Sequence, residues 1–364
     1  MPPIRTAILG TGMALNHLHF PLVNDLPDLY QLTTVLERTD RGIARKVCGP
    51  NIKVVSTLAE VLGDATLELV IVATADKTHF EIIKQCLLAK KHDKPLTYSS
   101  AEAEELGKLA KKQNVILSVF QNRRWDGDFL TAAKLIKSGK LGSISTYESY
   151  YDFYRPPEKR DPSVPLTWKD DPDLNHGAIY ATGTHTIDQA VFLFGVPNKV
   201  YGTTWDCRGT GVKDCFDVHL TYPPQGDSIA PLHVRCTTNW ISPIEPQLKF
   251  VLKASKGGWV KYYEDDQWFA LDERRMGDDY GVEPEEKWGV ATLVKSDGSF
   301  ATEKVPTERG DYRELYRNVA EAVRANDSSK LAVTVDSVVM QLKVIELALK
   351  SAKEDRVMVR GKDY

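Results

Sequence analysis

The sequence predicts an α/β protein in two parts: a parallel sheet covered by helices on both faces, then an α+β domain with a large open, mainly antiparallel sheet. Three observations carry this. The first third alternates short apolar runs with helix-like segments, the pattern of βαβ units. The middle switches to strands rich in aromatic and β-branched residues, several alternating polar with apolar. At 364 residues the chain is also longer than one core usually supports.

In order, residues 4–9 form an apolar strand that runs into a glycine turn, and an amphipathic stretch follows to about residue 24. Further strands are expected at 31–36, 53–55, 68–74 and 115–120, with helices at 78–89 and 99–112. Continuous runs such as Leu69-Val70-Ile71-Val72 suit strands buried on both faces. After a helix near 129–138 come strands at 145–153, 199–205, 216–222, 232–240, 249–254 and 259–263. Helices at 311–325 and 335–353 close the chain. The division is expected after residue 125, giving parts 1–125 and 126–364.

Composition narrows the function classes. Hydrophobic residues make up 42% and charged residues 27%, and the net charge is -3 with no long basic run. That gives no electrostatic footprint for nucleic acid or an anionic membrane. The start shows no charged leader followed by an apolar region, and no apolar run reaches membrane-spanning length, so a cytoplasmic protein is expected. The five cysteines are scattered without a Cys-x-x-Cys pair, which reads as reduced thiols. No metal site is expected: His17 and His19 do not share a helix face, and the other histidines lack ligand spacing.

Gly10-Thr11-Gly12-Met13-Ala14-Leu15 follows the first strand and opens a helix. The first glycine permits a tight turn and the second lets backbone amides approach a pyrophosphate, with the helix N-terminus supplying a positive dipole end. This is the pattern of a Rossmann dinucleotide-binding unit, although its third position is Leu15 rather than a small residue, so strand and helix should pack less closely there. Glu37 ends the second strand 22 residues later, where an acid would hold a ribose 2′-hydroxyl. Arg38 beside it would suit a 2′-phosphate instead, so NAD and NADP both stay open.

Three other motifs stand out. Asp93-Lys94-Pro95 is either an ordinary surface loop or a way of aiming one amine, since a residue before proline is held extended. His185, in Gly183-Thr184-His185-Thr186-Ile187-Asp188, is either a histidine satisfied by hydrogen bonds or one that exchanges a proton near neutral pH. Gln121-Asn122-Arg123-Arg124-Trp125 closes a strand, a carboxyl-end position where ligands bind, or is a basic surface turn.

Taken together, these residues resemble the Gfo/Idh/MocA oxidoreductases, a family that includes glucose–fructose oxidoreductase and inositol dehydrogenase. The matching stretches run almost end to end: Ile8-Leu9-Gly10-Thr11-Gly12, residues 73–79, Asp93-Lys94-Pro95, residues 121–129, Gly183-x-His185-x-Ile187-Asp188 and Lys256-Gly257-Gly258. Residues 121–129 look most like a bacterial and fungal subgroup. The resemblance implies NAD or NADP, and hydride exchange with a sugar, polyol or related small polar metabolite. It also implies a homodimer through the open sheet. Lys94 would bond the substrate hydroxyl and move its proton, with His185 assisting. Cofactor contacts would come from Gly10, Thr11, Gly12, Met13, Ala14, Glu37, Arg38, Thr74, Ala75, His79, Asp93 and Lys94. Gln121, Arg124 and Trp125 would lie toward the nicotinamide.

Two departures qualify this. The family usually carries an aspartate four residues before the histidine, and here that position is Ala181. Losing an acid that takes part in proton transfer costs about 10²–10⁴-fold; Tyr180 or His176 stands nearest to replace it. Relatives also have an apolar strand of about three residues between the equivalents of His92 and Asp93, absent here. The fifth strand must then be very short or borrow from the preceding helix. At roughly 3.3 Å per residue, such a deletion moves Lys94 by up to about 10 Å unless the helix compensates. These departures motivate one alternative, a catalytically impaired dinucleotide-binding regulator resembling the yeast galactose-pathway repressor; a further alternative is a member using NAD transiently for elimination or epimerisation.

Overall fold

The computed structural model describes residues 1–94, 97–156 and 176–364. The chain forms two compact units. The first comprises Met1–Trp125, Asp266–Gly281 and Asp311–Val339; the second comprises Asp126–Asp265, Val282–Gly310 and Met340–Tyr364.

In the first unit, five strands form a wholly parallel sheet in the order β3-β2-β1-β4-β5: β1 (Ile4–Leu9), β2 (Tyr30–Leu36), β3 (Lys53–Val55), β4 (Leu69–Val72) and β5 (His92–Lys94). Parallel neighbours need crossovers, and these contain α1 (Phe20–Asn24), α2 (Ile43–Cys48), α3 (Leu58–Leu62) and α4 (His79–Leu88), with α5 (Ser100–Gln113) after β5. β4 is buried at every position, as its run of β-branched and leucine residues requires. Thr57 and Glu60 form a capping box on α3, and Ser99 accepts the Glu102 amide at the start of α5.

The register sets the working edge of this sheet. Leu9 pairs with both Leu36 and Val72, so Gly10, Glu37 and Ala73 leave their strands at one level. Lys94 ends β5 beside Ile71. Thus the fifth strand is very short and is made from the His92-Asp93-Lys94 motif itself, while α4 stops at Leu88. Pro95, which completes that motif, lies outside the described residues.

One expected strand differs. Residues 115–120 are largely buried, but only Leu117 registers as a bridge. A single cut after residue 125 also misses a return of the chain. The later segments of the first unit supply α9 (Gln267–Asp272) and α10 (Arg313–Ala325). The apolar face of α10 seats fully buried Tyr316 against the N-terminal residues. The Tyr30 hydroxyl donates to the Tyr316 carbonyl at 2.6 Å, and His19 Nδ1 lies 2.9 Å from the Tyr316 hydroxyl.

In the second unit, nine strands form one sheet in the order β13-β12-β11-β10-β6-β9-β8-β7-β14. They are β6 (Ile144–Tyr150), β7 (Lys199–Trp205), β8 (Cys215–Pro224), β9 (Pro231–Asn239), β10 (Leu248–Ala254), β11 (Gly257–Tyr262), β12 (Gly289–Val294), β13 (Phe300–Val305) and β14 (Met358–Val359). All pairings are antiparallel except β6 with β9. Helices α6 (Gly127–Ser138), α7 (Ala178–Ala181), α8 (Gly183–Phe194) and the last part of α11 (Val335–Glu354) belong here. Alternation along β8 buries Phe216, Val218, Leu220 and Tyr222 in a core with Phe129, Ile187 and Ile345. The opposite face stays polar at its centre, where Arg235 pairs bidentately with Asp217, Nε donating to Oδ1 and an Nη to Oδ2.

Candidate functional site

In the first unit the glycine turn is built for close approach. Gly10 has φ +104°, and a Cβ there would stand 2.6 Å from the Ala73 carbonyl oxygen. Only glycine combines that backbone with that neighbour. Gly12 is different: a Cβ would meet nothing within 4 Å, so the space over it is open to a ligand. Thr11 is half-buried, Gly12 and Met13 are exposed, and Ala14 leads into the helix. Buried Leu15 opens a π-helical stretch, Leu15–His19, before α1 continues. The wider π turn stands where a small residue would let an ordinary helix pack closely. The cradle fits a dinucleotide: a glycine turn at a strand's carboxyl end, open space, and a helix start beyond.

The next loop along this edge is braced by its own side chains. Thr74 Oγ1 lies 2.8 Å from Thr78 Oγ1, and the Thr78 hydroxyl donates to the Ala75 carbonyl. Buried His79 places Nε2 3.0 Å from the Thr74 carbonyl, fixing Thr74 and Ala75 at the mouth of β4.

Glu37 takes a position that spacing alone does not reveal. Its side chain is 2% exposed, and both carboxylate oxygens accept backbone amides. Oε1 takes Arg41 at 3.0 Å and Ile43 at 3.4 Å; Oε2 takes Ala44 at 3.1 Å. The acid thus holds the start of α2, where the helix dipole favours a negative charge. Arg38 and Arg41 remain exposed on the same turn. The carboxylate expected at the ribose is thus anchored to its own turn by three backbone amides.

Gln121, Asn122, Arg123 and Arg124 are all buried. Arg124 donates to the Ala332 carbonyl at 2.8 Å and to the Ser337 hydroxyl at 3.2 Å, and the Trp125 carbonyl accepts Gln267 Nε2. These residues tie the carboxyl end of the 115–120 stretch to the returning segments of the first unit.

His185 and Tyr180 belong to the second unit, whereas Lys94 and Asp93 end β5 in the first. His185 sits in the first turn of α8, half-buried, its amide bonded to the Thr182 carbonyl at 3.0 Å. Gly183 is the packing glycine of that motif: a Cβ there would stand 3.0 Å from the Phe216 ring, so its absence lets α8 lie on the sheet. Tyr180, on α7, has its phenol pushed up to about 12, first by burial and then by Glu346. At neutral pH it is a proton donor rather than a base. The His176 ring meets Tyr180 edge-on at 5.8 Å, while Ala181 is exposed.

Comparison with known proteins agrees with this construction. Residues 4–121 match the NAD-binding Rossmann-fold model of an oxidoreductase family, and residues 133–359 match that family's C-terminal alpha/beta domain. An uncharacterized oxidoreductase of Schizosaccharomyces pombe, C115.03, is 36% identical over 97% of this chain and 98% of its own length. The Bacillus subtilis scyllo-inositol 2-dehydrogenase (NADP(+)) IolW is 32% identical over 98% of this chain and 96% of its own. A solved Bacillus subtilis structure described as an oxidoreductase, yvaA, superposes with a TM-score of 0.87, at 32% identity over 98% of each chain. No helix among the described residues is long and apolar enough to cross a membrane. A glycine cradle at the end of β1, an NAD-binding domain model over it and the second domain's model behind it lead to one conclusion: this chain belongs to the Gfo/Idh/MocA oxidoreductases, and its dinucleotide is NAD or NADP.

Proposed function

We propose that this protein is an NADP-preferring oxidoreductase acting on a secondary hydroxyl, or the matching carbonyl, of a polyol or sugar. The observation that carries the cofactor choice is the inward turn of Glu37, with Arg38 and Arg41 left exposed on the same loop. A ribose 2′-phosphate needs cationic donors and no facing carboxylate. The NADP(+)-linked inositol dehydrogenase among the relatives supports both halves of the reading.

A bound dinucleotide supplies hydride exchange at the nicotinamide ring. Gly10, Gly12 and the following helix start would hold its pyrophosphate, and Thr74, Ala75 and His79 would shape the loop beside it. Lys94 would bond the substrate hydroxyl and take its proton in the oxidative direction. His185 would assist, and Tyr180, as a neutral phenol, would donate a hydrogen bond. Gln121, Arg124 and Trp125 would act by positioning the strand ends.

A homodimer through the open sheet belongs to the same proposal. Val290 and Val294 lie on one face of β12 and are 41% and 46% exposed, apolar surface that a second copy would cover. The alanine at position 181, in place of the acid the resemblance implies, favours a second reading, a dinucleotide-binding regulator without turnover. The deciding experiment mixes purified protein with NADP or NAD and a panel of inositols, sugars and their oxidised forms, following reduced-nicotinamide absorbance. Turnover with NADP at higher kcat/KM than with NAD supports the proposal. Binding without any turnover supports the regulator.

A further inference from the structure

Cys207 and Cys215 flank the loop between β7 and β8, and their sulfurs lie 3.1 Å apart. Cys207 is exposed and Cys215 is fully buried. The loop between them is unusually well held. Asp206 accepts the amides of Arg208, Gly209 and Gly211, and Asp214 accepts those of Cys207 and Arg208. Asp214 Oδ2 also pairs with Arg208 Nε at 2.7 Å, with both side chains essentially inaccessible. The thiols are thus brought together by a scaffold that does not itself need them bonded.

We propose that this pair is a redox site, closed to a disulfide by hydrogen peroxide. The exposed Cys207 sulfur attacks the peroxide oxygen, the O–O bond breaks, and a sulfenic acid and water result. The Cys215 sulfur then attacks the Cys207 sulfur, the S–O bond breaks, and a second water leaves. Two thiols are oxidised, one peroxide is reduced to two waters, and both thiol protons end in water. Trp205 Nε1 donates to Cys207 Sγ at 3.0 Å, which holds the exposed sulfur, the one that reacts first, in place. Cys215 is closed off from the peroxide by burial yet lies 3.1 Å from the Cys207 sulfur, so it acts as the resolving partner.

The three donors Cys207, Asp214 and Cys215 also fall within 4.8 Å of one another, the arrangement of a soft-metal site. The buried Arg208 guanidinium already occupies the Asp214 carboxylate, and a cation there opposes a metal ion. Sulfur–sulfur chemistry is therefore favoured.

The loop reaches the candidate catalytic helix. The Lys213 carbonyl accepts the Ala178 amide at 2.8 Å, and a Cβ on Gly177 would stand 2.5 Å from that same carbonyl oxygen. Closing the thiol pair stiffens the loop that seats α7 and its Tyr180. The chemistry of the pair is independent of the function proposed above.

The test treats the reduced full-length protein with dilute hydrogen peroxide, then maps peptides without reduction. The expected result is the loss of two hydrogens and a Cys207–Cys215 linked peptide, reversed by dithiothreitol. Cys207→Ser abolishes the link while Cys86→Ser leaves it intact. Amide exchange at residues 177–181 slows by roughly threefold or more on oxidation, as a stiffened support requires. Oxidation of Cys207 to sulfinic acid with Cys215 still a thiol would overturn the redox pair. So would zinc ion alone, at one equivalent, shielding both thiols from alkylation, which would make this a metal site. Unchanged exchange at 177–181 with the link formed would overturn the coupling to α7.

Discussion

The Glu37 carboxylate accepts the Ala44 amide at 3.1 Å, and with it the acid that ends β2 becomes part of the scaffold of α2. Two arginines on the intervening turn are left facing solvent. Replacing both, as Arg38→Ala with Arg41→Ala, is expected to weaken NADP binding by about 10–100-fold, since a hydrogen bond to a charged group is worth about 1.5–3 kcal/mol. NAD, which lacks the 2′-phosphate, should lose little. Calorimetry with both dinucleotides checks this, and an equal loss for the two would refute the assignment.

Glu37→Gln separates scaffold from specificity. Glutamine offers one acceptor oxygen and turns an N–H₂ toward backbone donors. The cost is about 1–3 kcal/mol for unsatisfied groups, a fall of several degrees in Tm at roughly 2–4 °C per kcal/mol. The NADP to NAD affinity ratio should hold. A ratio moving tenfold toward NAD would show that the carboxylate reaches the ribose after all.

The two glycines of the turn should behave in opposite ways. Gly10→Ala forces a side chain into positive φ and against the Ala73 carbonyl at 2.6 Å, so stability falls by about 1–3 kcal/mol or more. Gly12→Ala meets no protein atom within 4 Å. Its Tm should stay close to the parent value while dinucleotide affinity drops, because the methyl occupies the ligand's approach. Thermal melts with and without NADP distinguish the cases.

These contrasts also show where sequence reading stops. The alternation of apolar runs and helices located β1 and β3 to the residue, because buried parallel strands and their bounding turns leave a strong local pattern. The strand order β6 to β11 was legible for a different reason, the alternation of polar with apolar residues along antiparallel strands, whereas α7 and the start of α8 were not placed. The hairpin β12–β13 was passed over, although Asp297-Gly298 is an ordinary hairpin turn signal; its short, partly exposed strands gave little periodicity. The role of Glu37 depends on which way one side chain turns after β2. The meeting of Cys207 and Cys215 depends on strand register. Neither is encoded in spacing, so neither was visible before the fold was.

Tyr180 carries a pH prediction. Burial holds its phenol neutral in the folded protein up to about 12, while the unfolded chain ionises near the ordinary value of 10. The folded state binds the extra proton between those values. Its contribution to stability is therefore complete below pH 10 and is lost as pH rises toward 12. Tyr180→Phe should flatten that part of the alkaline stability curve. In the pH–rate profile between about 6 and 9, the same variant should lower the plateau without moving either limb, because the phenol does not titrate there. A shifted alkaline limb would mean that Tyr180 acts as a base.

Lys94 offers the sharpest separation of the two functional readings. Its backbone ends β5 beside Ile71, on the edge that also delivers Gly10 and Thr74, although the strand is only three residues long. The motif was therefore kept at the sheet edge by becoming the strand, not by drawing on α4. If the chain is an enzyme, Lys94→Ala should weaken dinucleotide binding far less than it lowers hydride transfer, which should fall by about 10²–10⁴-fold, the range for a lost general acid or base. His185→Asn should lose less, since it assists rather than takes the substrate proton. Single-turnover absorbance measurements read the hydride step apart from product release. Equal rates for Lys94→Ala and the parent, both with substrate saturating, would remove Lys94 from the chemistry. A parent protein that binds NADP tightly yet turns over nothing would leave the short β5 and Ala181 as the marks of a regulator.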